Sequence, residues 1–148
     1  MKKIVSSIFL LTLILSIISS CKKYEEGPAL SFRSKKARLE NKWKYDEISI
    51  NEEKQLLSAE ELEYRISFDK EDIVIKQTST TSGPVTFVGK YSLMDDKEKI
   101  KTTFDYTYFG NPVHEVNDYV IVKLKHKELW LREYKASGDT CEYHFIPE

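Results

Sequence analysis

The sequence predicts an all-β domain: an eight-stranded antiparallel up-and-down barrel preceded by a short helix. Three observations carry that expectation. Past Trp43 the apolar residues recur at every second position, the spacing that lines one face of a strand. Eight such segments follow one another, most of them joined by short turns. Eight is also the number of strands with which a small up-and-down sheet closes on itself and removes its edges. The rival architecture is an open two-sheet sandwich.

The chain begins with a different pattern. Met1-Lys2-Lys3 is a cationic start, residues 4–18 are mostly apolar, and Ser19-Ser20-Cys21 closes the run. That order marks residues 1–20 as a secretory signal peptide. The run is shorter than the roughly 20 apolar residues of a membrane span, and Ser6, Ser7, Thr12 and Ser16 dilute it. Residues 15–21, LSIISSC, resemble the lipobox of bacterial lipoproteins. The resemblance implies that the Cys21 thiol is alkylated with a diacylglyceryl group and becomes the new N-terminus, anchored in the bilayer. Two lipid chains are what stable anchoring takes. Residues 21–29 then form a lipidated tether, in which the seven residues KKYEEGP reach at most about 25 Å. Lys22 rather than Asp follows the cysteine, so by the same resemblance the protein is expected at the outer membrane, on its periplasmic face or at the cell surface.

Residues 30–148 are long enough for one domain with its own core. Loss of Lys2 and Lys3 takes the formal charge from −1 to about −3, which gives nucleic acid no role as a partner. With Cys21 consumed by lipid, Cys141 has no partner in the chain and reads as a small buried hydrophobe.

The helix is expected near residues 31–41, where Phe32, Leu39 and Trp43 fall on one stripe and Arg33, Lys35, Lys36 and Arg38 crowd the rest. The cations make a solvated face, or a patch for anionic headgroups. The first strand is 43–50. In 63–69, Tyr64, Ile66 and Phe68 share a face, and Ile73 and Ile75 continue it in 72–78. Segment 85–93 turns Val85, Phe87, Gly89, Tyr91 and Leu93 inward, and 99–104 adds Ile100 and Phe104. Segment 118–124 places Val120, Val122 and Leu124 together, 128–134 contributes Leu129 and Leu131, and 140–146 alternates Cys141, Tyr143 and Phe145. Between the first two strands, Ser58 with Glu61 three residues on reads as the capping box of a short helix, docked by Leu56, Leu57 and Leu62.

The tract GPALSFRSKKARLENKWK, residues 27–44, and ELWLRE, residues 128–133, resemble lipocalin-like (calycin-type) lipoproteins of the Bacteroidota. The resemblance implies an N-terminal tryptophan covered by an arginine from near the end of the barrel, here Trp43 and Arg132, as a cation–π lid worth on the order of 1 kcal/mol. Asn41-Lys42-Trp43 lacks the glycine of the family's Gly-x-Trp. It also implies a small hydrophobic or amphipathic ligand.

A barrel of this size is either filled by side chains or holds one small ligand. Phe68, Phe87, Phe104, Phe145, Tyr64, Tyr91 and Tyr143 all point inward on this reading, which favours a filled core. The segment 104–119 reads as a long connection carrying Tyr106, Tyr108, Phe109 and Tyr119 around a Gly110-Asn111-Pro112 turn. With Tyr64 and Tyr91 these are the candidate ligand-binding residues, because loops over a rigid barrel are where such residues concentrate. The plainer reading of the segment is a plug. A ligand site needs a cavity on the order of 300 Å³ beside these rings. The alternative role is structural: a barrel whose loops dock onto another protein of the cell envelope.

No catalytic residue, metal ligand set or cofactor motif is expected. His114, His126 and His144 stand apart from one another, without the spacing of a zinc site. Asp95, Asp96 and Glu98 lack the spacing of a calcium loop, and no nucleophile elbow or phosphate loop appears.

Overall fold

The computed structural model describes residues 33–79 and 83–148. The expectations for the signal peptide, Cys21, the tether and Phe32 lie outside those residues. Helix α1 (Lys35–Leu39) starts at Ser34, whose hydroxyl accepts from the Ala37 amide. Nine strands follow: β1 (Lys42–Ile50), β2 (Glu53–Gln55), β3 (Arg65–Asp69), β4 (Asp72–Ser79), β5 (Gly83–Met94), β6 (Lys99–Tyr108), β7 (Asn111–Leu124), β8 (Leu129–Tyr134) and β9 (Thr140–Pro147). A second helix, α2 (Ala59–Leu62), lies between β2 and β3.

From β3 to β9 each strand pairs antiparallel with the next, β1 pairs with β3, and β1 pairs with β9 from Trp43↔Pro147 to Ile50↔Cys141. Eight strands therefore close the barrel. The ninth, β2, is a three-residue flange on the second half of β1, an element the sequence reading lacks. It forms because β1 pairs with β3 only over Lys42–Lys44, leaving the far half of that edge open.

The up-and-down order gives the barrel two unlike ends. At one, α1 and the turns 69–72, 94–99 and 124–129 gather around the start of β1. At the other lie α2 and the turns 108–111 and 134–140. The core fills the first end: Leu39, Trp43, Ile73, Ile100, Leu124 and Leu129 are sealed from solvent. The second end is its mouth, where Tyr45, Tyr64, Phe87, Tyr106 and Tyr143 are only partly buried.

Four expectations need correction. The inward residues of β7 are Tyr119, Ile121 and Leu124, because Ile121 pairs with Leu131 and a bulge before Lys123 shifts the alternation. Val120 instead pairs with outward Arg132. The Ser58–Glu61 capping box is present, but Leu56 is 97% exposed and Leu62 55%, so of the three leucines expected to dock α2 only Leu57 is half-buried. Segment 104–119 is not a loop. It is the distal part of the β6–β7 hairpin, paired without interruption from Lys99↔Val120 to Tyr108↔Asn111.

The last correction concerns Trp43 and Arg132. Trp43 is fully buried, and its Nε1 donates to the Leu39 carbonyl at 3.0 Å. Arg132 alternates outward between inward Leu131 and Glu133, and its Nε and Nη2 donate to Glu142 Oε2 at 3.0 and 2.8 Å. The outward direction of β8 at this position keeps Arg132 off the indole. The helix α1 covers the tryptophan, and its Arg38, itself buried, donates from Nη1 to the Leu124 carbonyl at 3.1 Å.

Candidate functional site

The mouth is hollow because two ladders stop short of it. Strands β5 and β6 pair from Met94↔Lys99 only as far as Gly89↔Phe104. Strands β7 and β8 pair from Leu124↔Leu129 only as far as Val120↔Arg132. Residues 105–119 therefore form a two-stranded flap without a ladder to β5 or β8: 105–108 pair with 111–114, and 115–119 pair with Ile100–Phe104 of β6. The turn at its tip is Phe109-Gly110, both at positive φ (47° and 80°), beginning one residue earlier than the Gly110-Asn111-Pro112 expected. Two central residues with positive φ are the hairpin turn that matches strand twist.

Between the flap and the mouth halves of β4 and β5 lies a cavity of about 350 Å³. A smaller space of about 140 Å³ continues it toward the core. Both are bounded by Tyr64, Ile75, Phe104, Glu115, Asn117 and Tyr119. Ile66, Phe68, Ile73 and Ile100 make the deeper floor. Phe87 and Tyr106 meet edge to face at 5.4 Å across the gap where β5 and β6 have parted. The closed half is thus filled by rings, as the sequence suggests, and the mouth half is not.

The upper wall is a cluster of phenols. Tyr45 stacks on Tyr64 at 4.5 Å and on Phe145 at 4.8 Å, and Tyr119 meets Tyr143 edge to face at 6.3 Å. Burial, the largest cause in each case, raises all four hydroxyls above their ordinary range, with Tyr64 pushed up to about 12. At neutral pH they are uncharged donors. Two carboxylates complete the lining. Glu133, on the inward side of β8, accepts from Tyr143 Oη at 3.0 Å and pairs with Lys135 Nζ at 2.6 Å. Glu115, at the rim, accepts from Tyr106 Oη at 3.1 Å and from Asn117 Nδ2 at 2.8 Å.

Of the residues singled out from sequence, Tyr64, Tyr106 and Tyr119 border the cavity. Three others do not. Tyr91 is buried at the closed end, edge-on to Phe68, and its hydroxyl is without a hydrogen bond among the described residues. Tyr108 and Phe109 lie at the flap tip, 62% and 87% exposed, and meet edge to face. The alternation of the flap carries them past the rim. Residues that sequence reasoning missed are Tyr45, Glu115, Asn117, Glu133 and Lys135. Glu133 had a signal: it follows Leu129 and Leu131 at the same parity in β8. Glu115 and Asn117 had none, since they sit in a segment read as loop.

The three histidines have separate neighbours. His114 pairs with Asp105 at 2.7 Å, His126 meets Arg33 at 3.3 Å, and His144 bonds Glu142 at 2.7 Å while stacking on Trp130.

No family model matches the sequence, and no curated protein matches it. Solved structures do resemble the fold. A lipocalin-like protein from Bacteroides uniformis aligns with a TM-score of 0.53 at 17% identity, over 75% of this chain and 99% of that one. An uncharacterized protein from Bacteroides eggerthii aligns with a TM-score of 0.51 at 16% identity, over 74% and 99%. At such identities the likeness speaks for the fold alone. The chain has a lipocalin-like fold.

Proposed function

We propose that the protein is a lipid-anchored, non-catalytic binding protein of the outer membrane that takes a small hydrophobic or amphipathic ligand into the mouth of its barrel. The observation that carries this is the cavity of about 350 Å³ under the flap, apolar below and polar at the rim. That size lies at the lower end of small-molecule sites, enough to bury a short chain or a single ring system. Anchoring rests on the lipobox-like LSIISSC ending at Cys21. The described chain enters at Arg33, at the closed end, opposite the mouth.

Two measurements test the reading. Metabolic labelling with an alkyne fatty acid should mark the wild type, and Cys21→Ala should lose both label and membrane association; retention of either ends the anchoring reading. Native mass spectrometry of the protein taken from its own envelope should show a reproducible small adduct, lost on Tyr106→Ala. A bare protein contradicts the binding reading.

One observation favours the docking alternative. Phe109 holds a positive φ of 47°, a conformation bulky residues seldom adopt, with its ring almost wholly in solvent beside Tyr108. If a single envelope protein co-purifies in place of an adduct, and Phe109→Ser releases it, the docking reading replaces the first.

A further inference from the structure

We propose that the ligand of this cavity is an organic cation: an amine or quaternary ammonium on an apolar body, its charge seated at the rim beside Glu115 and the tyrosine rings. This rests on the reading of the cavity as a ligand site and adds the sign of the charge.

Among the described residues, three charged groups line the cavity: Glu115, Glu133 and Lys135. Lys135 is spent on Glu133, at 2.6 Å, and that pair is neutral as a unit. Glu115 is held differently. Its two hydrogen bonds come from Tyr106 and Asn117, neutral donors that fix the carboxylate in place and leave its charge intact. Its field reaches into the cavity: after burial, it is among the causes that raise the Tyr64 and Tyr119 hydroxyls. The net charge of the lining is therefore negative.

The rings act in the same direction. Phenol faces carry the negative side of an aromatic quadrupole, and cations placed over them are attracted, more so where water is excluded. Tyr45, Tyr64, Tyr119 and Tyr143 are packed together at the top of the deeper space, with Phe87 and Tyr106 on the flap side. Below them Ile66, Ile73 and Ile100 offer an apolar floor. Ring faces and a fixed carboxylate at the rim suit an ammonium group, and the floor suits its chain. A carboxylate or sulfate ligand meets repulsion at the same rim.

Three probes with one chain and different heads separate the charge from the cavity: octyltrimethylammonium, 1-octanol and octyl sulfate. Each is titrated calorimetrically into the mature chain, residues 21–148, carrying Cys21→Ala so that no lipid phase competes. The cation should bind about tenfold more tightly than the alcohol, and the sulfate most weakly. In Glu115→Gln, a rim substitution checked by thermal melting to be folded, the preference for the cation over the alcohol should shrink several-fold while the alcohol is unaffected. Equal affinities, or preference for the sulfate, overturn the charge assignment and leave the cavity reading standing. Heat from none of the three contradicts the cavity reading and this inference with it.

Discussion

Gly89 sits where β5 and β6 part, opposite Phe104, and its position allows nothing larger. A Cβ there would lie 2.4 Å from the Thr103 carbonyl oxygen and 2.5 Å from Phe104 Cδ1. The backbone carbonyl cannot yield as a flexible side chain does. Gly89→Ala should cost about 1–3 kcal/mol in urea denaturation, the usual price of overpacking; an unchanged midpoint would show that the two strands are not in this contact. Glu142 illustrates charge at the same scale. Burial disfavours its ionised form, yet hydrogen bonds from His144 and Arg132 outweigh that and hold its carboxyl below the usual 4.5. Glu128 is lowered as well, chiefly by its hydrogen bond with Lys123. A carboxyl with a lower value folded than unfolded adds stability above the unfolded value, and that increment is lost as pH falls through the folded one. The denaturation midpoint should therefore decline from about pH 4.5 downward, and less so in Glu142→Gln; an equal decline in both would remove Glu142 from the account.

The β6–β7 hairpin is the element on which the mouth depends. Its proximal half is clamped by β5 over Lys99–Phe104 and by β8 at Val120–Leu124, while residues 105–119 have no ladder to either neighbour. Elements with few outside contacts open at lower free energy than core strands. Native-state hydrogen exchange should find the mutually bonded amides between 105 and 114 exchanging well before those of Ile100–Phe104. Uniform protection along β6 would mean that the flap is no separate unit. Its strand character was poorly legible in the sequence. Thr107-Tyr108-Phe109-Gly110-Asn111-Pro112 offers turn formers and no inward aliphatic residue, since the flap has no core beneath it to demand one. By contrast β3, β4 and β5 were legible because one face of each is buried, and burial is what imposes strict alternation. The β7 parity failed for a related reason: Val120, Ile121 and Val122 are all apolar, and Ile121 and Val122 are both buried, so pattern alone did not show which residue set the inward parity before the bulge.

At the scale of the molecule, closure and occupancy are separate matters. Closure was legible, because eight amphipathic strands with short connections have one economical way to lose their edges. Occupancy was not. Seven inward rings suggested a solid barrel, but strand lengths differ: β8 has six residues and β7 fourteen, so the sheet overshoots its own core and rings at the mouth line space instead of filling it. The same overshoot puts the mouth at the end opposite α1. The candidate site follows from that geometry more than from any motif, which is why Tyr64, Tyr106 and Tyr119 were found by their chemistry while Glu115 and Asn117 were missed.

The central claim is that the space under the flap receives a ligand. The most direct measurement is a two-dimensional amide correlation spectrum of the isotope-labelled mature chain, titrated with octyltrimethylammonium below its aggregation concentration. The account predicts saturable shifts, with one common dissociation constant, at Tyr64, Phe104, Asn117 and Tyr119, and none at Tyr91 in the filled closed end. Shifts confined to Tyr108 and Phe109 at the tip, or an unchanged spectrum, would contradict it.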